Sequence, residues 1–195
     1  MRSAAERRAN PWQLPERIAG YFNEPWRGPT PPEEIARWNG SGATRTLVLH
    51  GPYGTGKTRL AARLFMRHCQ LGAPFHYRTK PYPLWWNASD LVQAARDEFD
   101  DQVRSVVRQA QATSWLVLDD FGGERSTLTD FEAETLALVL NSRWEHLRAT
   151  VFTTNWTLSD WQEFSPRIAS RLFGNEGAYF ELSGQDMRQS RQETA

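Results

Sequence analysis

One cysteine, Cys69, is all that 195 residues carry, so an intrachain disulfide is excluded and a reducing cytoplasm suits the chain. There is no net formal charge, with 23 basic against 23 acidic side chains, so the overall balance does not call for nucleic acid. Contact with DNA would have to come from a local patch, or from several subunits lined up. No apolar run approaches the roughly 18–20 residues of a membrane span. No apolar stretch follows the opening Met1-Arg-Ser-Ala-Ala-Glu-Arg-Arg8, so it does not read as a secretory signal. Internal repeats and low-complexity segments are also missing. The expectation is a soluble cytoplasmic protein without membrane contact. Apolar material is not lacking: 39% hydrophobic residues, nine of the chain's residues being Trp, suffice for one core.

Residues 1–32 differ from the rest. Pro11, Pro15, Pro25, Pro29, Pro31 and Pro32 prevent long helices and strands. Trp12, Leu14, Ile18, Tyr21, Phe22 and Trp26 lie between them, too many large apolar groups for a solvated tail. This arm, with one short helix over 15–22, either packs on its own domain or docks a partner. Residues 33–190 read as one α/β domain, and 191–195 as a tail.

Within the domain, Glu33–Trp38 is a short helix and Thr46–His50 a buried strand. A helix runs from the following glycine loop to about Gln70. Phe75–Arg78 begins a second strand that Leu84-Trp85-Trp86 extends. Ser89 caps a helix with apolar positions at Leu91, Val92, Ala95 and Phe99. Val103–Gln111 is helical, and Trp115–Leu118 is a strand. Phe131–Leu147 is a long helix with Phe131, Thr135, Leu138 and Trp144 inward. Thr150–Thr153 is a strand, Leu158–Phe164 and Pro166–Leu172 are short helices, and Tyr179–Leu182 is the last strand. Strands alternating with helices indicate a parallel sheet covered on both faces.

The segment Gly51-Pro52-Tyr53-Gly54-Thr55-Gly56-Lys57-Thr58 matches the phosphate-loop pattern at every fixed position. Its glycines let successive N–H groups turn inward at phosphate oxygens, and the helix that follows adds its positive end. Lys57 reaches the β- and γ-phosphates of ATP, and the Thr58 hydroxyl ligates Mg²⁺. The strand before the loop and the helix after it are the context the motif requires.

Trp115-Leu-Val-Leu-Asp119-Asp120 is an apolar strand that ends in two carboxylates. Strand C-termini collect at the ligand edge of a parallel sheet, which assigns Asp119 to Mg²⁺. The second acid, Asp120, stands where AAA+ ATPases, which this strand end resembles, usually carry the Glu that polarises the attacking water, unless both acids simply cap the next helix. Asn155, after the strand ending Thr153-Thr154, can bond the γ-phosphate or the water, or can simply form a turn. Arg167 and Arg171 stand at i and i+4 on one helix face. They are an ordinary basic face in a monomer, but in a ring they meet the neighbouring subunit's nucleotide.

These elements together resemble the bacterial replicative helicase loaders, the DnaC/DnaI type of AAA+ protein, over about residues 33–190. The most specific likeness is Leu118-Asp-Asp-Phe-Gly-Gly-Glu124. Asn141-Ser-Arg143-Trp144, Thr153-Thr-Asn155, Arg167-Ile-Ala-Ser-Arg171 and Gly184-Gln-Asp186-Met-Arg188 add to it. The resemblance implies a P-loop NTPase of the AAA+/ASCE class. Its fold would be a three-layer sandwich around a five-stranded parallel sheet, with a truncated or absent helical lid. By the same match Arg171 is an arginine finger, Arg167 its companion, and Arg188 a second sensor of phosphate. The implied partners are a replicative DNA helicase, single-stranded DNA and further copies of the chain in a ring or spiral. Candidates for DNA contact are Arg78, Lys80, Tyr82, Trp85 and Trp86, unless the tryptophans are core, and then Arg104 and Arg108.

The core is also similar to IstB-type helpers of transposition, with a transposase as partner. A further alternative is an interaction module that binds ATP and barely hydrolyses it. A nucleoside kinase would need a substrate-closing lid with arginines, and none is found.

Overall fold

Five short apolar runs become strands: β1 (Thr46–His50), β2 (Leu84–Asn87), β3 (Trp115–Phe121), β4 (Ala149–Thr154) and β5 (Gly177–Glu181). The computed structural model describes residues 14–21, 30–42, 44–71, 83–97, 103–123, 128–174 and 177–184. All paired neighbours are parallel, in the order β2-β3-β4-β1-β5. Parallel pairing needs crossovers, and helices supply them. The helices are α1 (Glu16–Gly20), α2 (Glu33–Arg37), α3 (Lys57–Leu71), α4 (Ala88–Asp97), α5 (Val103–Ala112), α6 (Asp130–Glu145), α7 (Leu158–Phe164) and α8 (Pro166–Leu172).

Side chains of a strand alternate between its two faces, and both faces here are apolar. Leu47, Leu49, Trp115, Val117 and Val151 pack with residues of α1, α2 and α3. Val48, Leu116, Leu118 and Phe152 pack with α4 to α8. Two cores divided by one sheet give the expected three layers. The same alternation places Asp119 on the α3 side of β3 and starts Asp120 toward the other.

Two expectations change in detail, and a third lies partly outside the described residues. Only Leu84–Asn87 is described as the second strand, and Phe75–Arg78 lies outside the described residues. Ser89 does not cap α4: Asn87 Oδ1 accepts from Ser89 N at 3.0 Å and from Ser89 Oγ at 2.6 Å, and the helix starts one residue earlier. Helix α6 begins at a Thr129/Glu132 capping box, and its inward face is set by a charged residue. Arg143 is only 1% exposed and donates to the carbonyls of Ala110, Thr113 and Ala149 and to Thr150 Oγ1. Burial pushes its pKa down to about 9, so it stays charged at neutral pH. It ties α5, α6 and β4 together. Thr135 is buried as expected and Trp144 is partly buried, but Phe131 and Leu138 are 40% and 57% exposed.

Residues 14–21 pack on the domain. Leu14 and Ile18 are 2% and 1% exposed in the core under α3. Replacing Ile18 with alanine is expected to cost about 2–5 kcal/mol of stability, the range for emptying a buried aliphatic site. Denaturant unfolding of the whole chain measures this, and an unchanged midpoint would show that the arm contributes nothing to the fold. Pro11, Trp12, Phe22 and Trp26 lie outside the described residues.

Candidate nucleotide site

The loop between β1 and α3 curls because its three glycines adopt backbone angles closed to other residues. Gly51, Gly54 and Gly56 have φ of 146°, 78° and 94°. A Cβ on Gly51 would lie 2.1 Å from the Leu182 carbonyl oxygen. Thr55 Oγ1 donates to Pro52 O at 2.9 Å and closes the turn. Helix α3 then opens at Lys57, its first turns presenting N–H groups to the loop. The Lys57 ammonium is buried inside the loop. It donates to Gly51 O at 2.6 Å and Pro52 O at 2.7 Å, and lies 5.9 Å from the centre of the Tyr53 ring.

Asp119, 2% exposed, sits where the strand meets this loop. Its Oδ1 accepts from Thr58 Oγ1 at 2.9 Å and from Thr153 Oγ1 at 2.6 Å. Thr153 Oγ1 in turn accepts from Asp120 N at 2.9 Å. Burial pushes the Asp119 carboxyl above the usual carboxylate range, and the two threonine bonds oppose that. A buried carboxylate beside a hydroxyl is a hard oxygen donor set that fits Mg²⁺, which would relieve the buried charge.

Asp120 diverges from Asp119. Its backbone is left-handed at φ 57°, an arrangement that costs of order 1–3 kcal/mol unless its surroundings enforce it. They do: Thr153 holds its N–H, and Gly123 N bonds its carbonyl at 3.1 Å. The residue is exposed and lines a cavity of about 250 Å³ with Ser89, Val92, Leu128, Glu132 and Leu136. Tyr53 reaches this segment from the loop, donating to Gly123 O at 3.3 Å.

Asn155 follows β4 directly. Its Oδ1 and Nδ2 are both buried, and neither finds a partner among the described residues. Leaving such groups unpaired costs about 1–3 kcal/mol each. An interlock that motif matching does not reveal holds it there. Thr154 Oγ1 donates to Phe121 O at 2.9 Å and accepts from Trp156 N at 3.0 Å. The Trp156 indole closes over Gly122, where a Cβ would lie 2.0 Å from its Nε1. Phe121, Trp161 and Phe164 pack around Trp156 with centroids 5.2 to 5.6 Å away.

His50, unassigned from sequence, ends β1 beside Gly51. Its Nδ1 is buried with the Asn155 backbone beside it, and its ring stacks on Tyr179 at 5.5 Å. Burial lowers its pKa, with Glu181 opposing. Only its place next to the loop could have drawn attention to it.

Arg171 is not gathered into this site. Its guanidinium lies 4.8 Å over the Trp144 ring and donates to Asn141 Oδ1 at 3.3 Å. Trp144 lines a small cavity with Thr46 and Thr150, residues at the starts of β1 and β4. The P-loop follows the other end of β1, about 13 Å away at the usual strand rise. Arg167 is exposed on the first turn of α8. Arg188, Glu124, Arg78, Lys80, Tyr82 and the Arg104 side chain lie outside the described residues. Trp85 is buried edge-on against Phe65 at 5.8 Å, and Trp86 packs partly on the other face, so the tryptophan pair belongs to the cores. Arg108 is exposed.

Among solved structures, the DnaC helicase loader matches with a TM-score of 0.58 at 20% identity, covering 77% of this chain and 84% of that one. DnaI matches at 0.58 and 19% identity, covering 78% of each. AMPPCP-bound DnaA from Aquifex aeolicus matches at 0.62 and 16%, covering 84% of this chain and 48% of that one. At such identities the likeness is one of fold, the AAA+ P-loop fold. A search of curated proteins finds no match to this chain. The sequence profile of IstB-like ATP binding proteins matches residues 39–169, a span that holds the P-loop, Asp119, Asn155 and Arg167. The chain belongs to that IstB-like ATP-binding family.

Proposed function

We propose that this chain is an ATP-hydrolysing switch that works as an oligomer on single-stranded DNA and a replicative DNA helicase. The observation that carries the hydrolytic part is the amide of Asn155, without a partner among the described residues and buried at a strand end beside the P-loop strand. Residues 51–58 hold the phosphates, with Lys57 as their point charge. Thr58 and Asp119 hold Mg²⁺, which supplies positive charge against the phosphate oxygens. Asp120 accepts the proton of the attacking water, and Asn155 orients that water or the γ-phosphate. Arg171, at the other end of the sheet from its own loop, serves the neighbouring subunit with Arg167 beside it. Arg188 acts as a second sensor.

Asp120→Asn is expected to keep ATP binding and to lose turnover about 10²–10⁴-fold, the usual worth of a general base. Paired measurements of nucleotide affinity and phosphate release test this. Equal turnover would remove Asp120 from the water-activating role.

For the whole proposal the test is ATPase rate with and without single-stranded DNA, together with affinity purification from the native host. DNA-stimulated turnover and recovery of a hexameric helicase support it. ATP binding without turnover would leave an interaction module. A second reading, a helper of DNA transposition, is favoured by the family match itself. Recovery of a transposase in place of a helicase would select it.

A further inference from the structure

The phosphate-loop pattern fixes its glycines, Lys57 and Thr58, and leaves position 53 open. A tyrosine stands there, half exposed, so neither the motif nor core packing calls for it. Its ring lies 5.9 Å from the Lys57 ammonium, near enough for the ring face to attract the cation. Its hydroxyl reaches away from the loop and donates to Gly123 O at 3.3 Å, 70 positions along the chain.

Gly123 closes the turn that carries Asp120. Its N–H donates to Asp120 O at 3.1 Å while its carbonyl receives the Tyr53 hydroxyl. The turn needs holding, because Asp120 has a left-handed backbone at φ 57°. At its start Thr153 holds Asp120 N, and the Trp156 indole closes in Gly122. Gly123 has no such wall: a Cβ there would meet nothing within 4 Å. The Tyr53 hydroxyl therefore supplies a hold at the end of the turn where packing supplies little. It also ties the loop between β1 and α3 to the residue after β3 that aims Asp120.

We propose that Tyr53 is a positioning residue for hydrolysis, whose hydroxyl fixes the turn that aims Asp120. A filled phosphate loop fixes the Tyr53 backbone, and through this bond it fixes the group that activates water. The inference rests on reading Asp120 as that group. It gives the Tyr53 side chain a part that phosphate binding does not need.

The experiment compares wild type, Tyr53→Phe, Asp120→Asn and the double variant as full-length proteins. Melting temperature without nucleotide, ATP affinity and phosphate release at saturating ATP are measured for each. Tyr53→Phe keeps the ring beside Lys57, so its melting temperature and ATP affinity should match wild type. Its phosphate release should slow about 2- to 10-fold, the worth of one neutral hydrogen bond. Added to Asp120→Asn, it should slow release no further, because the turn then aims no base. Wild-type release in Tyr53→Phe would overturn the proposal. Equal fractional losses in the two backgrounds would also overturn it, since Tyr53 would then act apart from Asp120. So would a loss confined to ATP affinity, which would make Tyr53 a binding contact. Wild-type release in Asp120→Asn would instead remove the underlying reading of Asp120, and this proposal with it.

Discussion

Lys57→Ala is expected to abolish tight ATP binding. The ammonium is buried in the curl of the loop, within 2.7 Å of both the Gly51 and the Pro52 carbonyl oxygens. It is the cation the P-loop itself supplies, and the loop's N–H groups alone cannot balance a triphosphate. Bonds to a charged group are worth about 1.5–3 kcal/mol each, so losing two lowers affinity roughly 10²–10⁴-fold. The ammonium also braces the loop, and its removal relaxes a curl that only glycines allow. Nucleotide titration with and without Mg²⁺ measures the loss. Unchanged affinity would mean that residues 51–58 are not the phosphate site.

Arg171→Ala is expected to bind ATP with near-normal affinity and to hydrolyse it poorly. Three observations argue for action on a neighbour. The guanidinium rests on Trp144 and Asn141, on the C-terminal part of α6. That part of α6 packs against the first residues of β1 and β4, while the P-loop leaves the last residue of β1. Among the described residues Arg171 makes no ion pair that would commit it elsewhere. Arginines that act on a transferring phosphoryl group from another subunit are worth about 10³–10⁵ in rate. Single-turnover hydrolysis, measured after saturating the protein with ATP, separates this loss from any change in affinity. A mutant that hydrolyses at the wild-type rate would return Arg171 to an ordinary packing role.

The sequence carried the sheet and the loop because both are local patterns. Runs such as Thr46–His50 and Trp115–Leu118 are apolar on both faces, and the glycines of residues 51–58 sit at fixed spacing. In helix α6 apolarity does not mean inward, since Phe131 and Leu138 are exposed. The buried Arg143 shows why that rule failed: five donors can satisfy a charge in the core when three carbonyls and a hydroxyl converge on it. The Asp119–Thr58–Thr153 cluster was only half legible. Each residue stood in a recognised motif, but a bond between residues 34 apart in the chain depends on the register of β3 with β4. His50 and the Trp156–Gly122 contact leave no motif, since they arise from where separate segments meet. The arm could be read either way from its prolines and aromatics. Residues 14–21 resolve toward packing because Leu14 and Ile18 find a core that only the folded α3 provides.

If one subunit's P-loop and its neighbour's Arg171 make a single hydrolytic site, two variants that each lack one half should complement each other. Mixing Lys57→Ala with Arg171→Ala measures this, because each variant carries the half-site the other lacks. At a mixed interface the Lys57→Ala subunit contributes the arginine, and the Arg171→Ala subunit contributes the loop. ATPase rate is recorded against mixing ratio, at concentrations where size analysis shows oligomers. Two inactive end points are expected, with activity between them that is greatest near equal amounts. A flat, inactive curve from oligomers shown to contain both variants would contradict it.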